Sequence, residues 1–221
     1  MIASNALSNA RSNALRVLVP GLLLPSLMAH AGGWAVITVD DLPDYAEAAK
    51  PVALSFMVRQ HGVTPMERLS PSVEATSGRL SARAMALPAG QPGRYAVSLN
   101  LPSAGDWSIT IRSGFGKSDV TLLPLPVVDH GERLTKAVND TERGQRLFIA
   151  KGCAMCHQQS GAGPILDGKR FDVAYISGFL ANPPSAGRAQ GKPTMPNLGL
   201  KQREITSLVA YLNSDREVTA R

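Results

Sequence analysis

Two cysteines and a histidine in close succession are the residues of this chain best suited to chemistry. Cys153 and Cys156 are two residues apart, and His157 follows at once. This C-x-x-C-H spacing is typical of c-type haem attachment, in which the cysteines form thioethers with the haem and the histidine binds the iron. A zinc site needs about four ligands, and these are the chain's two cysteines. A redox dithiol would belong in a βαβ context, which is absent here.

The sequence around this motif resembles a small class I cytochrome c, and the resemblance extends from about Asn139 to Ser214. Gly144 and Phe148 stand where that family keeps the glycine and the aromatic residue at which its first and last helices cross. A glycine at such a crossing lets two helix backbones approach closely. The resemblance therefore implies an all-α domain with one covalently bound haem c.

The last segment of this region has helical periodicity. Apolar residues recur at i, i+3, i+4 and i+7, at Ile205, Leu208, Val209 and Leu212. This spacing predicts a helix with one apolar stripe, and Tyr211 belongs to the family's usual ending. Periodicity alone is also typical of any helical domain, so the assignment depends on the attachment motif.

The resemblance also implies two further residues of the haem site. Pro164 stands in the family's proximal loop, where the proline carbonyl accepts a hydrogen bond from the ligand histidine and fixes its ring. A proline at this position is also compatible with a simple turn. Met195 is the predicted sixth ligand of the iron, and His/Met ligation raises the haem potential. Pro193 and Pro196 flank Met195 and keep its segment out of a helix.

A short amphipathic helix is predicted over 171–180, between the two ligand loops. It ends before Pro183 and Pro184, because proline cannot continue a helix. Its apolar side chains would line the haem. Tyr175 on this helix is a candidate for a hydrogen bond to a haem propionate, and burial of its ring for packing is an equal alternative.

The first 31 residues have the pattern of a secretory signal peptide. Arg11 and Arg16 precede the apolar run 17–28, and Ala29-His30-Ala31 resembles a cleavage site. The run is short for a membrane span of about twenty residues. Export to the periplasm, or to the outer face of the cytoplasmic membrane, agrees with haem attachment, which cytochromes c undergo outside that membrane. An uncleaved signal would leave the protein associated with the membrane.

Residues 32–128 are predicted to form an all-β domain. Apolar residues alternate with polar ones in several short segments, at 34–39, 52–58, 95–101 and 107–111. Turns rich in Gly and Pro separate them, which favours an immunoglobulin-like sandwich without an inter-sheet disulfide. The hairpin from Gly93 to Trp107 resembles the FixH/YtkA-like group of exported β domains.

The predicted fold is therefore multidomain, with an all-β immunoglobulin-like sandwich followed by an all-α class I cytochrome c domain. A polar linker, 129–138, joins the sandwich to the cytochrome segment, 139–221. The part of the chain beyond the signal is long enough for two small domains.

One loop of the predicted sandwich carries metal-binding side chains. His61 and Met66 are five residues apart after a strand, and an imidazole with a thioether suits copper. Two ligands are an incomplete set, and a loop histidine held in a turn is the ordinary alternative. The same loop is also a candidate docking surface, since binding residues concentrate on loops.

Basic charge is concentrated in the C-terminal part of the chain. The net charge is zero over residues 32–138 and +4 over 139–221. The basic residues expected around the haem are Lys169, Arg170, Arg188, Lys192, Lys201 and Arg203. Such a surface would steer an acidic redox partner, and a merely solvated face is the alternative. Export and the absence of a binding motif argue against nucleic acid as a partner.

These patterns predict an exported monohaem cytochrome c that transfers single electrons to a redox partner protein or a membrane respiratory or dehydrogenase complex. It is not expected to be an enzyme by itself, although it could be a subunit of an oxidoreductase. A peroxidase-like enzyme would need an open position on the iron, which Met195 closes. The remaining alternative is a copper-handling exported protein that binds metal at His61 and Met66.

Overall fold

The structure is a computed structural model that describes residues 33–184 and 194–214. These residues belong to one compact unit, Gly32–Arg221. The predicted signal peptide lies outside the described residues, as do Arg188 and Lys192. No helix in the described ranges is both long and apolar enough to cross a membrane.

Short strands make up the N-terminal part of the described chain. In chain order they are β1 (Ala35–Val39), β2 (Ala46–Glu47), β3 (Pro51–Gln60), β4 (Thr64–Pro65), β5 (Ser72–Ser77), β6 (Leu80–Met85), β7 (Leu87–Pro88), β8 (Arg94–Asn100), β9 (Gly105–Arg112), β10 (Asp119–Thr121) and β11 (Leu125–Val128).

The strands form two sheets that share one core. One sheet has the order β1-β3-β8-β7, with β4 also paired to β3. The other has the order β2-β11-β9-β5-β6, with β10 also paired to β9. The pairs are antiparallel except for β2 with β11, which is parallel. Apolar side chains from both sheets fill the space between them, including Phe56, Tyr95, Trp107 and Ile109. The predicted β-sandwich is confirmed, whereas the immunoglobulin-like topology and the FixH/YtkA-like kinship stay predictions.

The C-terminal part is helical. It contains α1 (Asp140–Ala150), a short π-helical segment (Met155–Gln159), α2 (Val173–Ala181) and α3 (Gln202–Leu212). Asn139 and Glu142 form a capping box that stabilises the start of α1. The second helix begins at Val173, two residues later than predicted, because the Asp172 side chain accepts a hydrogen bond from the backbone N–H of Tyr175 and acts as the N-cap.

The first and last helices cross at Gly144. A Cβ at this position would lie 1.9 Å from the backbone oxygen of Ser207, so the two helix backbones touch there. The rings of Phe148 and Tyr211 lie 5.5 Å apart beside the crossing. Ile205 on α3 is buried in the same core. The crossing expected from the sequence resemblance is therefore present, and it anchors a second apolar core that is separate from that of the sandwich.

The sandwich packs directly against the helical part. Ala150, at the end of α1, is buried in the sandwich core. Arg143 donates to the carboxylate of Asp44 at 2.9 Å, and this hydrogen bond holds the pKa of Asp44 below its ordinary value. The Arg146 side chain donates to the backbone oxygens of Pro43 and Asp44. The segment that follows β1 is thus fixed to α1.

A buried lysine adds a second connection. Lys151 is 5% exposed, and its Nζ lies 2.8 Å from the carboxylate of Glu204 on α3. The same ammonium donates to the backbone oxygen of Asp40 at 2.5 Å. Thr38 on β1 donates to the backbone oxygen of Lys151 at 3.4 Å. One side chain therefore joins the sandwich, α1 and α3.

Candidate functional site

The C-x-x-C-H residues follow directly after α1. The thiols of Cys153 and Cys156 are free and partly buried. Burial raises the pKa of Cys153 to about 12 and also raises that of Cys156. A redox dithiol depends on a cysteine with a lowered pKa, so these thiols do not have the character of such a pair.

His157 is held by the loop that follows it. Its Nδ1 lies 2.8 Å from the backbone oxygen of Pro164. A carbonyl oxygen can only accept, so Nδ1 carries the proton and donates, and Nε2 is left with a free lone pair. Gly163 makes the approach possible, because a Cβ there would lie 2.7 Å from His157 Nδ1. The loop thus orients the ring and leaves its other nitrogen available to a metal.

An apolar cavity of about 430 Å³ lies in the helical part beside His157. Its walls come from α1, α2, α3 and the two ligand loops. The lining residues are Phe148, Cys153, His157, Pro164, Leu166, Phe171, Tyr175, Ile176, Phe179, Leu180, Pro184, Thr194, Met195, Leu208 and Leu212. The cavity therefore brings together five of the six residues predicted to contact a haem.

The sixth of these residues, Cys156, does not line the cavity. Its thiol lies on the side of the sandwich, since a Cβ built on Gly62 would be 4.0 Å from Cys156 Sγ. Its backbone oxygen accepts a hydrogen bond from Gly163 N–H at 2.9 Å. Cys156 is thus bordered by the sandwich on one side and by the loop after His157 on the other.

Met195 and Tyr175 occupy different surroundings on the cavity wall. Met195 is half-buried and packs against the helical core. Tyr175 is 65% exposed, with its ring 6.3 Å from that of Phe179. Both alternatives for Tyr175, a hydrogen bond to a haem propionate and burial of its ring for packing, stay predictions. Its hydroxyl remains available to a polar group at the cavity mouth.

The lining of the cavity fits a mostly apolar cofactor that takes protein ligands. Its walls are mainly apolar, and a hydrophobic shell of this kind influences the potential of a redox metal. Its possible metal ligands are the imidazole of His157 and the thioether of Met195, and the thiol of Cys153 also lines it. This donor set fits the His/Met ligation of a haem iron.

Residues 139–212 match the family model described as cytochrome C oxidase, cbb3-type, subunit III. They form a c-type cytochrome domain. The match covers about a third of the chain. A cytochrome domain of this type implies covalently bound haem and electron transfer rather than catalysis.

Comparisons of the whole chain add little to this family match. No curated protein sequence matches the chain at a significant level. Solved structures with local likeness include domains 4 and 5 of the S-layer protein SbsC, with 18% identity, a TM-score of 0.34 and coverage of 43% of this chain and 46% of that one. The structure of SbsC domains 1–6 aligns with 18% identity, a TM-score of 0.33 and coverage of 48% and 15%. The chain thus spans less than half the length of either protein.

The two candidate copper ligands have different environments. His61 is exposed in a turn, and its ring lies 5.4 Å from that of Trp34. Met66 is half-buried and packs against the sandwich core. Within the described ranges, no group of three or more His, Cys, Asp and Glu side chains is arranged to hold a metal ion. The copper site stays a prediction.

Two of the basic residues expected around the haem contact the sandwich. Lys201 and Arg203 pair with Asp41 and Asp44, and the steering role expected of them stays a prediction. They face the sandwich because α3 begins beside the segment that follows β1. Lys169 is exposed. Arg188 and Lys192 lie outside the described residues, so their role as steering charges stays a prediction.

Sequence reasoning missed Gly163 and Gly62. Gly163 immediately precedes Pro164. A glycine at that position indicates that another group can lie close to the loop backbone. Gly62 lies beside Cys156 in space but 94 residues away in sequence. No local pattern could have revealed that contact.

Proposed function

We propose that this chain is an exported monohaem c-type cytochrome that transfers single electrons, as part of a respiratory or dehydrogenase complex or docked to one. Cys153 and Cys156 would carry the haem, and His157 and Met195 would bind its iron. The observation that supports this set best is that Cys153, His157 and Met195 line the same apolar cavity. The haem would supply a one-electron couple within the protein.

The residues around the cavity have separable roles in this proposal. Pro164 holds the proton on His157 Nδ1, which fixes the ring and raises the basicity of Nε2. Met195 offers a soft, neutral sulfur, which favours a higher potential than a harder ligand would. The mainly apolar walls would limit the access of water to the bound group. Tyr175 is placed to donate to a propionate at the mouth.

Two axial protein ligands suit electron transfer better than catalysis. Substrate chemistry at a haem requires a free position on the iron, and Met195 would occupy it. The protein would then act as a relay for a partner, or as a subunit of a larger oxidoreductase.

Export and the nature of the partner complete the proposal. The signal-like sequence of residues 1–31 supports a periplasmic location or the outer face of the cytoplasmic membrane. The match to a cbb3-type oxidase subunit model supports a membrane respiratory complex as partner. The sandwich would hold the cytochrome domain on that complex.

Mass spectrometry of the protein made with a c-type maturation system tests the proposal. The intact chain should carry one haem that survives acid extraction. Cys153→Ala and Cys156→Ala should each leave a single thioether, and the double variant should release its haem. A haem extracted intact from the wild-type protein would overturn covalent attachment.

A further inference from the structure

Two uncharged segments, one from each part of the protein, meet at Cys156. The turn 61–65 of the sandwich approaches it through Gly62, whose Cβ would lie 4.0 Å from Cys156 Sγ. The loop 158–165 of the cytochrome domain approaches it through Gly163, whose N–H donates to the Cys156 backbone oxygen at 2.9 Å. We call these two segments together the composite edge.

The composite edge is exposed and carries no Asp, Glu, Lys or Arg. Val63 is 42% exposed and Ile165 is 69% exposed. Other exposed members are His61, Thr64, Pro65, Gln158, Gln159, Ser160, Gly161 and Pro164. Charged residues make up 18% of the chain, so an uncharged surface built from two separate segments is notable. Contiguous exposed apolar patches mark protein interaction surfaces, and Val63 and Ile165 belong to two segments that both approach Cys156.

The two halves of the composite edge are held rigidly together. His61 N–H donates to the backbone oxygen of Trp34 at 3.0 Å, which ties the turn to β1. The outer side of β1 is in turn packed on the cytochrome domain, because a Cβ at Gly152 would lie 2.3 Å from Val36 Cγ1. Tyr95 OH donates to the backbone oxygen of Met66 at 2.8 Å and fixes the far end of the turn.

We propose that the protein exchanges electrons over the composite edge, and that this edge fits a redox protein with an uncharged, partly apolar contact surface. This inference rests on the proposed function, since Cys156 is one of the two proposed haem attachment points. One electron passes from the reduced protein to the oxidised acceptor in each encounter, with no bond or proton exchanged. The sandwich is then part of the electron-transfer surface.

The charge pattern separates this proposal from electrostatic steering. Attraction between charged surfaces is screened by salt, with a Debye length of about 8 Å at 0.15 M. An uncharged edge predicts association that depends little on ionic strength. Lys201 and Arg203 are turned toward sandwich carboxylates, so they add little to the field at this edge.

Oxidation of the reduced protein by two small reagents of opposite charge tests the inference. Hexacyanoferrate(III) is anionic and tris(phenanthroline)cobalt(III) is cationic. In Val63→Glu, the added carboxylate should lower the rate of oxidation by the anionic reagent and raise the rate of oxidation by the cationic one. Each change should be about 5-fold at an ionic strength of about 0.01 M. Val63→Lys should reverse both signs. Leu80→Glu is the matched control, since Leu80 is 46% exposed on edge strand β6 of the other sheet.

Nuclear magnetic resonance gives a readout that does not depend on electron transfer. Gly62→Ala would place a methyl group beside Cys156, and it should shift the haem-methyl resonances of the oxidised protein. Gly78→Ala imposes a similar backbone strain, since both glycines have positive φ, but its Cβ meets nothing within 4 Å. It should leave these resonances unchanged.

The outcomes separate the proposal of the composite edge from the proposed cytochrome function. The composite edge would be supported if the oxidation rates with the two reagents changed in opposite directions in the Val63 variants but not in Leu80→Glu. Equal rates in the Val63 and Leu80 variants would overturn it while the cytochrome function stands. Wild-type protein without covalent haem would overturn both proposals.

Discussion

His157 Nδ1 lies 2.8 Å from the backbone oxygen of Pro164, and this contact selects the tautomer of the neutral imidazole. Since the carbonyl accepts the Nδ1 proton, Nε2 is the nitrogen that can bind iron. The contact forms only because Gly163 has no side chain to separate the ring from the loop. A loop glycine therefore controls the orientation of the proposed proximal ligand.

Gly163→Ala tests this control. The new Cβ would lie 2.7 Å from His157 Nδ1, so the ring must move and its hydrogen bond to Pro164 weakens. A less basic imidazole donates less to ferric iron, and we expect the reduction potential to rise in a redox titration. Gly178→Ala on α2 is the control, because its Cβ meets nothing within 4 Å and its φ is not positive. An unchanged potential in Gly163→Ala would contradict the role of the loop.

Met195→Ala tests the sixth ligand. Loss of the thioether should abolish the near-infrared sulfur-to-iron band of the oxidised protein and lower the reduction potential. Met85→Ala is the control, because Met85 is 54% exposed on β6 of the sandwich. An intact band in the Met195 variant would assign the sixth position to another residue.

The chemistry of the cytochrome domain was predictable because its signals are local. Cys153, Cys156 and His157 lie within five residues of one another, and Pro164 follows seven residues after His157. The stripe from Ile205 to Leu212 has a helical period and is buried as expected. Short-range patterns of this kind depend on backbone geometry alone, so a single sequence is sufficient to read them.

The relation between the sandwich and the cytochrome domain was not predictable. Alternation in β1 predicts one buried face, yet all five residues from Ala35 to Val39 are buried. The second face is covered because Val36 packs on Gly152 and Thr38 bonds to Lys151. These partners are more than 100 residues away in sequence, and strand periodicity carries no information about what covers a strand's outer face.

Lys151→Met tests whether the sandwich and the helices are stabilised as one body. The change leaves Glu204, which is 13% exposed, without its buried partner. Breaking a buried pair in this way typically costs about 3–5 kcal/mol of unfolding free energy, measurable by denaturant titration. Lys50→Met removes the exposed pair with Glu47, and it should cost at most about 1 kcal/mol.

The double variant Lys151→Met/Glu204→Gln completes this test. It removes the uncompensated charge and should recover part of the lost stability. Glutamine retains a side-chain oxygen that can accept from the N–H of Lys201 at the start of α3, as Glu204 does. Equal losses of unfolding free energy in the Lys50 and Lys151 variants would show that the buried pair stabilises the protein no more than the exposed pair does.

Asp44 makes the contact between the sandwich and the helices sensitive to acid. Its pKa lies below the ordinary value, mainly because Arg143 donates a hydrogen bond to the carboxylate. A carboxyl with a lowered folded-state pKa stabilises the protein fully above its unfolded pKa, about 3.9, and this stability is lost as pH falls through the folded value. In Asp44→Asn this contribution is absent at every pH.

The difference in unfolding free energy between wild type and Asp44→Asn should therefore be constant from about pH 7 to about pH 5 and shrink below about pH 4. Urea titrations at a series of pH values measure it. Asp106→Asn, at an exposed position on β9, is the control and should give a small difference throughout. If the Asp44 difference persisted unchanged at pH 3, the ion pair with Arg143 would not be the source of the acid sensitivity, and another contact would have to hold the segment after β1 on α1.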